Sequence, residues 1–311
     1  MDVALGAFRH EAFLYADESE FLDGTVAFVH AGLDAGEPVM VVLDAAKIRL
    51  LRERLGDRAE QVHFADLALV GRNPGRILHA WDQFAGEHVG AGRPARGIAE
   101  PVGPDRSADE LVECQHHEQL LNLAFGDGPP WWLMCPYDTR VLPGPVLDEA
   151  RRSHPALRLD GDIYDNARYE APDPEVPFPP ALDDPPSTAR ERKVTVSTVS
   201  DIREAVLDHA RRAGVPPDRA QDLVMAVSEL TANSIRHGGG WGVLRSWRED
   251  GEVVHQVEDA GLLADPLVGL RLPPASARGG RGLWLVNQLC DLVEIRSSPK
   301  GTVVRVHMRR R

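Results

Sequence analysis

Apolar residues in the first half of the chain fall in short runs, separated by longer stretches with helical spacing. Residues 11–15, 38–43, 61–65, 95–99 and 131–136 read as strands. Residues 18–35, 45–55, 74–89, 108–125 and 145–153 read as helices. Strict alternation of this kind requires crossover connections, which predicts a doubly wound, mostly parallel sheet covered on both faces. Ligands of such sheets bind beyond the carboxyl ends of the strands. Those ends carry Asp17 and Glu18, Asp44, Asp66, Glu100, and Tyr137 with Asp138.

The pattern breaks between Ala171 and Pro186, where seven prolines alternate with acidic residues. Proline excludes helix and central strand and favours extended backbone, so a semi-rigid linker is expected. The predicted organisation is a first domain at 1–170, a linker at 171–189 and a second domain at 190–311.

Beyond the linker, residues 193–199 alternate as an edge strand would, and Ser200-Asp201 can cap a helix over 202–213. Pro216-Pro217 opens a second helix. Its Leu223, Val227 and Leu230 form an apolar face, while Glu229, Asn233 and His237 stack four apart along an adjoining one. Gly238 to Gly240 end it. Strands at 242–248 and 252–258 follow, and the second runs into Asp259-Ala260-Gly261. Arg278-Gly279-Gly280-Arg281-Gly282-Leu283 opens a helix with Leu285, Val286 and Leu289, and Gly301-Thr302 starts a final strand. The expected architecture is an α/β two-layer sandwich, one mixed sheet with helices on a single face.

Composition narrows the function. The net charge of −13 is uneven: from residue 190 onward 19 Lys and Arg face 15 Asp and Glu, leaving −17 on the front part. An acidic front half argues against direct nucleic-acid binding. No apolar run approaches a membrane span, and the N-terminus lacks the pattern of a signal peptide. Three scattered cysteines fit reduced thiols and a cytoplasmic location.

The first domain has no Gly-x-x-x-x-Gly-Lys loop and no Gly-x-Gly-x-x-Gly. Cys114, His116 and His117 share one helical turn, but adjacent histidines diverge by about 100° and zinc needs four ligands, so a solvated helix face is expected. His10-Glu11 precedes a strand rather than lying in a helical hairpin, which argues against a phosphoacceptor. Cys135 with Tyr137, at the carboxyl end of a strand, is the better site candidate. Trp131 and Trp132 read as core and rim aromatics.

The boxes of the second half, taken in order, resemble the ATP-binding (Bergerat) fold shared by gyrase, the heat-shock chaperone, histidine kinases and MutL. Glu229 and Asn233 match its N-box, Asp259 and Gly261 its G1 box, Gly280 and Gly282 its G2 box, and Gly301 and Thr302 its last box. The Ser-Glu-Leu-x-x-Asn-x-x-x-His N-box and the short lid are closer to the anti-sigma-factor serine kinases, over roughly 190–311. That resemblance implies an ATP-dependent serine/threonine kinase acting on a STAS-type anti-sigma-factor antagonist, binding a sigma factor and dimerising. It implies Asn233 as the Mg²⁺ ligand, Glu229 as general base and Asp259 as acceptor of the adenine amino group. Gly261, Gly280 and Gly282 would permit close backbone approach, Arg278, Arg281 and the amides leading to Leu283 would meet the phosphates, and Thr302 would join the adenine-side network. His237 would cap or pack at the helix end. The chain departs from the family at Leu263, where a second glycine is common, and in a proline-rich lid. Two other readings are a non-catalytic ATP-gated binding module and a histidine-kinase core; no dimerisation hairpin with its own histidine precedes Lys193.

The first half is similar to the MEDS sensory domain, through Phe13-Leu14-Tyr15, Arg96-Gly97-Ile98-Ala99-Glu100, the stretch from Glu113 to Asn122, Cys135-Pro136-Tyr137-Asp138 and Ser153-His154-Pro155. That similarity implies RecA-like ancestry and a sensor for a small-molecule ligand.

Overall fold

The computed structural model describes residues 8–70, 73–88, 94–126, 128, 130–159, 161–273 and 280–310. Contacts divide the chain into two units, Met1–Asp173 and Pro174–Arg311.

The first unit runs β1 (Arg9–Tyr15), α1 (Glu18–Asp34), β2 (Val39–Leu43), α2 (Ala45–Leu55), β3 (Val62–Asp66), α3 (Leu67–Val70), α4 (Pro74–His88), β4 (Ala95–Ala99), α5 (Ala108–Phe125), β5 (Trp131–Asp138), α6 (Gly144–Ser153), β6 (Ala156–Leu159) and β7 (Asp162–Asp165). Its sheet has the order β3-β2-β4-β5-β1-β6-β7, parallel throughout except for the closing β6–β7 hairpin. Helices cover both faces. Phe21, Phe28 and Val29 of α1 and Leu51 and Leu55 of α2 pack on Phe13, Val39, Val41 and Ile98. The helices and strands predicted for this half appear within two residues of their expected bounds. The small α3 and the β6–β7 hairpin were not expected.

Acids at the carboxyl ends of the strands start the helices that follow. Asp17 accepts from the Glu20 N–H and Asp44 from the Ala46 and Lys47 N–H groups, which satisfies donors that a helix N-terminus otherwise leaves open. At α5, Ser107 and Glu110 cap each other's backbone N–H.

The second unit runs β8 (Arg190–Val194), α7 (Val199–Ala213), α8 (Pro217–His237), β9 (Gly242–Glu249), β10 (Glu252–Asp259), α9 (Arg281–Leu289), β11 (Leu292–Ser298) and β12 (Gly301–Arg309). The sheet order is β11-β12-β10-β9-β8. The expected two-layer sandwich is present, but its sheet is not mixed: every pairing is antiparallel. Two of the four pairings are hairpins. The β9–β10 turn holds Asp250 and Gly251 at φ 40° and 87°, the left-handed pair that matches strand twist in a two-residue loop. The second hairpin joins β12 to β11, a strand the sequence reading passed over. The edge strand β8 shares only Lys193 and Val194 with the expected 193–199; Val196–Thr198 instead form a 3-10 turn, and α7 begins at Val199 rather than being capped by Ser200.

The helices lie on one face. Ile202, Val206 and Ala210 of α7, Leu223, Val227 and Leu230 of α8 and Val286 of α9 pack on Leu244, Val253, Val257, Val304 and Val306. The opposite face is polar, and the proline-rich stretch lies against it. Arg296 donates to the Pro180 carbonyl at 2.6 Å and Arg305 to that of Asp183 at 2.6 Å, while Phe178 is buried. Residues from Pro174 on are therefore part of the second unit; a chain without its own hydrogen-bond ladder uses its carbonyls as acceptors for sheet arginines. Among the described residues no helix is long and apolar enough to cross a membrane.

Candidate functional site

Helix α8 supplies one wall of the candidate site. Proline at its first turn needs no N–H partner, and burial of Leu223, Val227 and Leu230 fixes its rotation. That rotation turns Glu229 and Asn233, both half-buried, toward the start of α9. The two elements meet at Gly282. A Cβ there would stand 2.8 Å from Glu229 Oε2, 3.4 Å from Asn233 Nδ2 and 3.6 Å from Asn233 Oδ1. With no side chain at Gly282 the α9 backbone approaches both polar groups closely, and a methyl group there would require the Glu229 carboxylate to move aside. The helix begins at Arg281, two residues before Leu283, and follows Gly280 at φ 87°. Among the described residues no side chain caps it, which leaves its first N–H groups available as an anion site would require. Arg281 is exposed.

The second wall is the end of β10. Asp259 accepts a hydrogen bond from Ser234 Oγ at 2.5 Å and from the Gly261 N–H at 2.8 Å. Ser234, on α8, is fully buried, so a hydroxyl the sequence reading ignored holds the carboxylate in one orientation. Glycines crowd it: a Cβ on Gly238 would stand 2.3 Å from Asp259 Cγ, and one on Gly261 2.9 Å from Asp259 Oδ1. Thr302 lies directly opposite Asp259 in the β10–β12 register. Its hydroxyl donates to the Gly261 carbonyl at 2.8 Å and lies 2.7 Å from Ser297 Oγ, which accepts from the Leu263 N–H at 2.8 Å.

The structure thus brings together Glu229, Asn233 and Gly282 on one side, and Asp259, Gly261 and Thr302 on the other. His237 is exposed at the end of α8 and takes no part. Arg278 lies outside the described residues. The donor set fits a magnesium nucleotide: Asn233 offers an amide oxygen, which suits a hard cation, and Asp259 offers a fixed acceptor. Ser234 and Ser297 are the members that motif reading missed, because neither belongs to a charged or glycine position.

In the first unit the strand ends frame a cleft of about 510 Å³, lined by Asp44, Lys47, Glu100, Pro101, Asp138 and Leu142 among others. Glu100 accepts from Tyr15 Oη at 2.8 Å and is paired with Lys47. Burial raises the Glu100 pKa, opposed by Lys47, and raises that of Tyr15, reinforced by Glu100. Cys135 and Tyr137 are fully buried instead of opening onto this cleft. Cys135 meets Glu118 of α5, and the Tyr137 ring stands edge-on to His154. The expectation of a solvated face at Cys114, His116 and His117 also fails: Cys114 and His117 are buried, because α5 packs against both α4 and α6. Trp131 is core, as expected. Trp132 is partly exposed and carries the Arg9 and Arg96 guanidinium groups over its ring.

Comparison with known proteins finds a family match for each half of the chain. Residues 9–155 match the MEDS family, the methanogen/methylotroph DcmR sensory domain. Residues 193–308 match the histidine kinase-like ATPase domain. The chain therefore joins a MEDS sensory domain to a histidine kinase-like ATPase domain. One similar solved structure is that of the RsbU and RsbW domains of Rv1364c from Mycobacterium tuberculosis, at 20% identity and a TM-score of 0.30, over 40% of this chain and 33% of that one. The chain spans about a third of that relative's length. No curated protein matches it.

Proposed function

We propose that the protein is a sensor-linked anti-sigma regulatory kinase, which transfers the γ-phosphate of ATP to a serine of a STAS-type anti-sigma-factor antagonist. The observation that carries this reading is the convergence of Glu229 and Asn233 on the backbone of Gly282. A family of ATPases matches this domain; the anti-sigma assignment rests on the N-box motif and short lid. In this reading Asn233 Oδ1 holds Mg²⁺, which when bound neutralises triphosphate charge. Glu229, one helical turn away, takes the proton from the attacking serine hydroxyl. Asp259, fixed by Ser234, accepts from the adenine amino group and disfavours guanine, whose oxygen at that position is also an acceptor. Gly261, Gly280 and Gly282 leave room for the nucleotide. The amides of Arg281, Gly282 and Leu283, with the Arg281 side chain, bind the phosphates, and Thr302 closes the adenine side.

The first unit is the input, with a small molecule taken up in the cleft beside Lys47 and Glu100, and the proline-rich segment at 171–189 connects it to the output at 190–311. Partner proteins are an antagonist and a sigma factor, the kinase acts in the cytoplasm, and two copies pair as in related kinases. Incubation with labelled ATP, Mg²⁺ and a cognate antagonist tests the transfer; a serine that gains no label under any ligand condition refutes the kinase reading.

A second reading is an ATP-gated binding module without catalysis. It is favoured by Leu263 at the usual glycine position, where the main chain is tied to Ser297 and so resists rearrangement. Glu229→Ala separates the two: a kinase loses transfer, whereas a binding module keeps its regulatory effect.

A further inference from the structure

Four side chains from separate parts of the first unit meet in its interior. His10 comes from β1, Glu118 from α5, Cys135 from β5 and His154 from the residue after α6. None is more than 1% exposed, and their ligating atoms all lie within 4.8 Å of one another. Glu118 Oε2 is 3.0 Å from His10 Nε2 and 3.3 Å from His154 Nε2. Cys135 Sγ is 3.3 Å from His10 Nε2 and 3.4 Å from Glu118 Oε2.

With both imidazoles neutral and no ion bound, this cluster is short of protons. Asn122 donates its amide N–H groups to the carbonyls of Ser153 at 2.7 Å and Glu118 at 3.3 Å, so its oxygen faces His10 Nδ1 at 3.0 Å. His154 Nδ1 lies 2.7 Å from the Ala150 carbonyl. Both Nδ1 atoms therefore carry the proton, and in neutral imidazoles both Nε2 lone pairs point inward. There they meet an ionised carboxylate, another acceptor. The Cys135 thiol is left as the one donor for three acceptors. Among the described residues His154 Nε2 and Glu118 Oε1 have no hydrogen-bond partner, an expensive condition for buried polar atoms.

We propose that His10, Glu118, Cys135 and His154 bind one divalent transition-metal ion of the zinc type. Two imidazole nitrogens, a thiolate and a carboxylate oxygen make a complete four-ligand set. Tetrahedral bonds of zinc length put ligand atoms roughly 3.3 to 3.6 Å apart, close to the separations found. Thiolate and carboxylate together cancel a dication, so the loaded site is neutral and tolerates burial. The Nδ1 bonds to Asn122 and Ala150 fix both rings with Nε2 inward, the outer support that metal-binding histidines have. On binding, the Cys135 proton leaves to solvent and no electron is transferred. All four positions are filled by protein, so the ion ties β1, β5, α5 and α6 together and does not activate a water.

Full-length protein stripped with a chelator under reducing conditions is titrated with Zn²⁺ and with Co²⁺. The proposal expects one equivalent per chain, a higher Tm for the first unit with Zn²⁺, and in the Co²⁺ form a thiolate-to-cobalt charge-transfer band with the intense visible bands of a tetrahedral centre. Cys135→Ser abolishes the charge-transfer band, while Cys114→Ser, equally buried outside the cluster, keeps it. Unfolding by chelator that Zn²⁺ reverses also supports the site. Folded protein that takes up no stoichiometric metal, or a charge-transfer band that survives in Cys135→Ser, overturns it.

Discussion

Gly282, in the first turn of α9, rests against the carboxylate of Glu229: a Cβ on the glycine would stand 2.8 Å from Glu229 Oε2. The contact joins the two segments on which the proposed phosphate site depends. Gly282→Ala displaces the Glu229 carboxylate, the mobile end of a flexible side chain, and puts a methyl group into the proposed phosphate site. ATP affinity should fall by about tenfold or more, a loss of roughly 1.4 kcal/mol. Far-ultraviolet circular dichroism should stay unchanged, since α9 begins with a whole turn of helix either way. Titration calorimetry on the variant checks it.

Glu229→Gln keeps size and shape at the same position and removes the base. Transfer to the antagonist serine should drop by about 10²- to 10⁴-fold, while nucleotide affinity stays close to that of the parent. A single-turnover assay beside an equilibrium binding measurement separates the two effects.

The bond from Ser234 to Asp259, at 2.5 Å, is buried on its donor side and charged on the other. Ser234→Ala leaves the carboxylate with the Gly261 N–H. A hydrogen bond to a charged group contributes about 1.5 to 3 kcal/mol, so the denaturant midpoint of the second unit should fall accordingly. Selectivity for ATP over GTP should weaken too, because the acceptor is no longer held in one orientation.

Two buried histidines of the second unit titrate in opposite directions. Burial alone would lower the pKa of His307, but the carboxylates of Glu252 and Glu294, at 3.0 and 2.9 Å, outweigh it and raise the value to about 9. Its contribution to stability is complete below the ordinary 6.5 and is lost as pH rises through about 9. The whole shift corresponds to about 3 kcal/mol. His255 is desolvated beside His209 and falls to about 3, so its contribution is complete above 6.5 and declines as pH drops toward 3. Calorimetric unfolding from about pH 3 to about pH 9, the range those shifts span, should show the second unit most stable near neutrality, and His307→Gln should remove the alkaline decline.

Much of this molecule was legible in the sequence, for a physical reason in each case. Alternation of short apolar runs with helical spacing gave the first sheet its parallel order, since crossovers leave few other solutions. Glu229, Asn233, Asp259 and Gly282 stood out because, taken in order, they match the motif boxes of the ATP-binding fold that the second half resembles. The strand at Leu292–Ser298 was passed over although Val293 and Ile295 alternate with Glu294 and Arg296 as a half-buried strand requires. The proline-rich stretch read as a free linker because its attachment is made by carbonyls to Arg296 and Arg305, and backbone acceptors leave no mark in a sequence. The His10, Glu118, Cys135 and His154 cluster was invisible for another reason. Its members sit on four elements, and only the pairing of β1 with β5 and the packing of α5 and α6 bring them together.

The central claim is that a magnesium-bound adenine nucleotide sits between Asn233 and Asp259. Isothermal calorimetry on the full-length protein with ATP and Mg²⁺ tests it most directly, with GTP and the variant Asp259→Asn alongside. The account predicts saturable heat at one nucleotide per chain, little with GTP and a weakened response in the variant. No heat at millimolar ATP, or equal heat from both nucleotides and an unaffected variant, would contradict it.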